Sequence, residues 1–158
     1  MSTFAPPSRN RALYDQDLTA WAQWQVDLLR ARAWDELDVP HLIEALDGVG
    51  RSDVRAAQSY LALVFEHLLK LTVSPARPPR VEWRQSVIRH RLALLDLISD
   101  TPSLRGRLDL EKAYLLAART AVAGLADHDG SAVAARVPSV CPYTMDQALD
   151  TGWWPDSP

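Results

Sequence analysis

The sequence predicts an all-α protein: an irregular bundle of about five or six helices, with a central third helix and a short C-terminal helix and tail. Three observations lead there. Apolar residues recur at helical spacing through most of the chain, and no segment alternates with the period of two that a half-buried strand requires. The breaks between periodic segments carry helix punctuation: acidic or hydroxylated caps, prolines in first turns, glycines after last turns. The composition, 47% hydrophobic and 23% charged over 158 residues, is that of one ordinary globular domain, long enough to build a core without disulfides.

Residues 1–12, with Pro6-Pro7 and several small polar residues, read as a loose arm ahead of a single all-helical domain over 13–155. The first helix is expected from about Asp15 to Arg32. Leu18, Trp21, Ala22, Leu28 and Leu29 share a face that only Gln25 interrupts, and acidic residues at its start and arginines at its end suit the helix dipole. A short second helix follows, capped by Asp38, with Pro40 in its first turn and Leu42, Ile43 and Leu46 as a narrow apolar face. In EALDGVGRSDVR, residues 44–55, Gly48 reads as a left-handed stop and Ser52 as a restart, giving a helix–turn–helix corner.

The third helix, Ser52 to about Val73, is apolar around most of its circumference, which places it at the centre of the bundle. Its polar stripe is Ser52, Arg55, Ser59, Glu66 and Lys70, and Glu66 and Lys70 form an i,i+4 pair in the favourable order. SPARPP, residues 74–79, cannot continue a helix. A fourth helix is expected from about Glu82 to Ser99. A fifth runs from a Thr101-Pro102 start to about Ala126, softened at Gly106, and buries Leu110, Ala113, Tyr114, Ala117, Ala121 and Leu125. Residues 128–142 read as a loop. Thr144 and Gln147 make a capping box on the last short helix, and GWWPDSP follows as a tail.

The net charge of −3 is unevenly placed: residues 1–69 carry −4, residues 70–107 carry +5 and residues 108–158 carry −4. A basic middle between acidic flanks is best balanced within the fold. Cys141 is the one cysteine, so neither an intramolecular disulfide nor a cysteine-based metal site is available, as suits a reducing compartment. No window has the length and apolarity of a membrane span, and the first residues lack a signal-peptide core. A cytoplasmic protein with no membrane partner is expected.

Six ordered segments carry a resemblance: LYDQDLTAW at 13–21, LDVPHLIEALDGVGRSD at 37–53, HLLKL at 67–71, WRQSVIRHR at 83–91, PSLR at 102–105 and CPYTMDQALDTGWWP at 141–155. In order and spacing the chain resembles the bacterial domain of unknown function 29 (DUF29) family over about residues 13–155. That resemblance implies an all-helical fold and no assigned activity. The chain departs from the family pattern at Ala45, where a second glutamate is common, at His41, where asparagine is common, and at Leu71, where tryptophan is common.

The candidate polar cluster is Glu44, Asp47, His67, Lys70, Trp83, Arg84 and Arg91. Glu44 and Asp47, at i,i+3, share a helix face and are spaced to hold one Mg²⁺, with Lys70 or Arg84 facing phosphate charge; a divalent-metal phosphohydrolase or nuclease is one alternative. His41, Glu44 and His67 do not complete a metal set, so neither metal nor cofactor is expected. GVGRS follows no strand and lacks the Gly-Lys-Ser/Thr of a phosphate loop. Arg77, Arg80, Arg84, Arg89 and Arg91 around Trp83 are spaced to meet phosphates and stack a base, but Trp83 stands one turn before Val87 and reads as packed on the core. Nucleic-acid binding through 77–91 is therefore a second alternative rather than the expected one. Trp153-Trp154 either docks on its own chain, the reading adopted, or anchors a partner. The leading expectation is a small binding or interaction protein without catalysis, its partner another protein or a second copy of itself.

Overall fold

A computed structural model describes residues 13–156. Among them there are helices and no strand. The longer helices are α1 (Leu18–Ala31), α2 (Val39–Val73), α3 (Arg80–Asp100) and α4 (Leu110–Asp129), and two short ones are α5 (Ser131–Ala134) and α6 (Met145–Leu149). Single 3₁₀ segments, Trp34–Glu36 and Pro102–Arg107, occupy two of the connections. The arm expected at 1–12 lies outside the described residues. The chain forms two compact units, Met1–Gly50 and Arg51–Pro158.

In the first unit Asp17 caps α1 through the Ala20 N–H, and Arg32 ends it in a left-handed conformation (φ 57°). The residue that interrupts the apolar face of α1 has a structural use. Gln25 is buried, and its Oε1 accepts the Asp38 backbone N–H at 2.9 Å. The Asp38 carboxylate accepts in turn from His41 Nδ1 at 2.8 Å and Trp21 Nε1 at 3.4 Å. Tyr14 closes this knot, edge-on to Trp21 and tilted over His41. A buried carboxylate is tolerated here because it is hydrogen-bonded.

The corner expected at Gly48–Ser52 does not form. α2 runs unbroken from Val39 to Val73, and neither Gly48 nor Gly50 has the positive φ of a left-handed stop. Two glycines cost a helix interior about 1 kcal/mol each relative to alanine. Once a helix is nucleated each added residue contributes a hydrogen bond, and long helical stretches of Leu, Ala, Glu and Arg on both sides absorb that cost. The expected helix–turn–helix corner is thereby corrected, since the second and third helices are parts of one continuous helix. Ile43 is 57% and Leu46 71% exposed. Gly48→Ala is accordingly expected to raise stability by about 1 kcal/mol, read from the denaturant midpoint. A loss of stability would mean that a turn is needed at this position.

In the second unit α2 is the central element, as its pattern requires. Ala57, Leu61, Val64, Phe65, Leu68 and Leu69 are fully or nearly fully buried and pack with Val87 and Leu94 of α3 and Ala113, Tyr114, Ala117 and Ala121 of α4. The small alanines on α4 permit close approach of that helix. Glu66 is not on an open stripe; it is buried, and Lys70 Nζ reaches its Oε1 at 2.6 Å. The fifth helix expected from Pro102 is also corrected. A 3₁₀ segment ends at Arg107, and α4 restarts at Leu110 behind an Asp109 N-cap that accepts the Lys112 N–H. Gln58 of α2 holds this break open, donating to the Asp109 carbonyl at 2.5 Å and accepting its N–H at 3.0 Å. α4 extends to Asp129, and Gly130 (φ 90°) turns the chain into α5, within the region expected to be loop. The Thr144–Gln147 capping box on α6 forms as expected.

Candidate functional site

The predicted polar cluster divides between the two units. Glu44 and Asp47 are exposed residues of the first. His67, Lys70, Trp83, Arg84 and Arg91 belong to the second, where each is engaged by its own chain. Lys70 is held by Glu66. His67 donates from Nδ1 to the Leu63 carbonyl at 2.8 Å, and its ring lies 6.1 Å from that of His90, which Tyr60 stacks at 6.0 Å. Burial, then the neighbouring His67 and Arg89, lower the pKa of His90 below its ordinary value. Trp83 packs against the core.

Arg91 is the residue whose role the sequence conceals most. It lies on α3 with 0% exposure and inserts beneath the C-terminal segment. Nε donates to the Ala148 carbonyl at 3.0 Å, Nη2 to Gln147 at 2.8 Å and Nη1 to Trp153 at 2.8 Å. Two of these carbonyls are in the last turn of α6, where helix acceptors have no partner and the dipole favours a cation. Burial lowers the Arg91 pKa and the Asp150 carboxylate opposes that shift. The Trp154 ring lies under Arg91 at 5.2 Å and under exposed Arg84 at 4.9 Å. Trp153 meets Tyr143 edge-on. The two tail tryptophans thus dock on their own chain. Tyr143, pushed up to about 12 by burial, faces Thr72 at 3.0 Å, and the half-buried Cys141 thiol is pushed up likewise.

These contacts engage three of the five arginines of the basic stretch 77–91. Arg91 serves the tail, Arg84 covers Trp154, and Arg80 donates to the Leu71 and Ser74 carbonyls at 2.7 and 3.0 Å. Among the described residues no group of three or more His, Cys, Asp or Glu side chains is placed to hold a metal ion.

A different feature gathers unengaged polar groups. A cleft of about 950 Å³ opens between α2 and the start of α4, walled by Arg55 on one side and Lys112 and Arg119 on the other, with Arg107 nearby. Val54, Leu115 and Leu116 supply its apolar lining, and the two leucines are 51% and 56% exposed. None of the four cations makes an ion pair or side-chain hydrogen bond among the described residues. The carboxylates in the lining are Asp109, engaged as the α4 cap, and Glu111. A signal for this site stands in the sequence. Lys112, Leu115, Leu116 and Arg119 recur at i, i+3, i+4 and i+7, one helix face opposite the buried alanines.

The family model described as Domain of unknown function DUF29 matches residues 13–154. The chain belongs to the DUF29 family. No curated protein and no solved structure matches it. No helix of the DUF29 chain, among the described residues, is long and apolar enough to cross a membrane.

Proposed function

We propose that this DUF29 chain is a small cytoplasmic interaction protein that binds another macromolecule without catalysis. The observation that carries the reading is the cleft between α2 and α4, with four cations that have no side-chain partner set around two exposed leucines. Uncompensated charge beside open apolar surface is the character of a binding face. The hydrolase alternative lacks equivalent support, because Lys70 and Arg84, its phosphate-facing cations, are engaged by Glu66 and Trp154. Cys141, the one cysteine, is half-buried, and burial pushes its thiol up, which suits a reducing compartment.

The test pairs affinity capture from a cell extract with an assay of nucleotides and phosphodiesters in Mg²⁺ or Mn²⁺. The expected result is a partner retained by the wild-type chain and lost in Arg55→Glu/Arg119→Glu, with no turnover. Metal-dependent turnover abolished by Glu44→Ala would overturn the reading, as would equal capture by both chains.

A further inference from the structure

We infer that the occupant of the α2–α4 cleft is a short acidic peptide segment carrying one or two aliphatic side chains, a partner class that rests on the interaction reading above. The lining has two parts, and each selects. Leu115 and Leu116 lie side by side on α4, more than half exposed, with Lys112 and Arg119 flanking them on the same face. Arg55 stands on the opposite wall. An aliphatic patch ringed by cations is complementary to aliphatic side chains ringed by carboxylates. From Lys112 to Arg119 the helix rises about 10 Å, the length of two turns of a bound helix or three residues of an extended strand.

Nucleic acid fits less well. Unpaired bases are held by stacking on aromatic rings, and among the described residues no aromatic side chain lines the cleft. The Asp109 and Glu111 carboxylates at its edge repel any anion, and a peptide answers this by placing backbone N–H groups against them, donors that a phosphodiester backbone lacks. The walls are fixed before any partner arrives. Gln58 clamps both backbone groups of Asp109, and buried Ala57 and Ala113 belong to the packed core beneath. A preformed cleft spares the ordering cost of binding.

Fluorescence anisotropy with a labelled short peptide of glutamates around two leucines tests this. Binding is expected, weakening as salt rises because the cations are exposed. It should fall about tenfold or more in Arg55→Glu/Arg119→Glu and in Leu115→Ser/Leu116→Ser, since both halves of the surface contribute. Arg89→Glu/Arg136→Glu, which changes net charge equally at exposed positions outside the lining, should bind as wild type. Circular dichroism of each variant reports retained fold. Equal binding of a peptide with serines in place of leucines, or tighter binding of a short single-stranded oligonucleotide, would overturn the inference. So would absence of peptide binding while a captured partner still depends on Arg55 and Arg119; the interaction reading would then survive and only the partner class fall. Metal-dependent turnover would sink that reading itself.

Discussion

Replacing Arg91 by alanine is expected to lower stability by about 3–5 kcal/mol. The guanidinium is the common donor to three carbonyls, those of Gln147, Ala148 and Trp153, from a position with no exposure. Each hydrogen bond to a charged group contributes about 1.5–3 kcal/mol, and a buried acceptor left alone carries its desolvation penalty. Water entering the space vacated by the long side chain recovers part of that loss, which sets the estimate below the simple sum. In a domain of this size the midpoint of thermal unfolding should fall by roughly 6–20 °C. Arg91→Lys should recover only part, because an ammonium is a point charge and cannot span three acceptors as the planar fork does. Arg84→Ala is the informative comparison. Arg84 shares the Trp154 ring with Arg91 but is exposed, so its loss should cost about 1 kcal/mol or less. Equilibrium denaturation of the three variants checks the ordering. If Arg91→Ala unfolds within 1 kcal/mol of wild type, the tail is not held through these carbonyls.

Phe65→Ala should be as damaging by a different route. Phe65 has no exposure and lies at the centre of the second unit, with the Tyr143 ring stacked at 5.7 Å and the Tyr114 ring edge-on at 6.2 Å. Truncation removes the transfer free energy of the ring and leaves a cavity, together about 3–5 kcal/mol. The tyrosines restrict relaxation into the space. Tyr114 is tied through its hydroxyl to the Pro138 carbonyl at 2.6 Å, and Tyr143 pairs with Thr72 at 3.0 Å. Leu46→Ala, at an exposed position of the same helix, should change stability by no more than about 0.5 kcal/mol. A similar cost for both substitutions in urea denaturation would mean that the core is not organised around the Phe65 segment of α2.

Much of this fold is legible in the sequence because it follows from local rules. Helix periodicity identifies α1, α3 and the buried half of α2, and side-chain chemistry at one terminus identifies the Thr144–Gln147 box. The Ala113–Ala117–Ala121 stripe reveals the buried face of α4 by spacing alone. Ordered motifs along the chain identify the DUF29 family. What sequence reasoning misplaced depends on more than the preferences of a few neighbouring residues. Gly48 and Gly50 look like a stop by local preference, yet cooperativity of a 35-residue helix overrides a cost of about 1 kcal/mol each. The break before α4 moves to Asp109 because Gln58, 51 residues earlier, bonds its backbone.

The candidate site was less legible for the same reason. Arg91 reads as one cation in a basic run, since nothing within a few residues of it indicates that the carbonyls it serves lie 56–62 residues away. Arg55 reads as one member of a solvated stripe until α4 is laid beside it. The sequence by itself determined the helical class, the family and which helix is central, because apolar spacing acts locally. Only the tertiary structure decided which cations are engaged and which are open, because a guanidinium's partner is set by what packs over it and not by its neighbours in the chain.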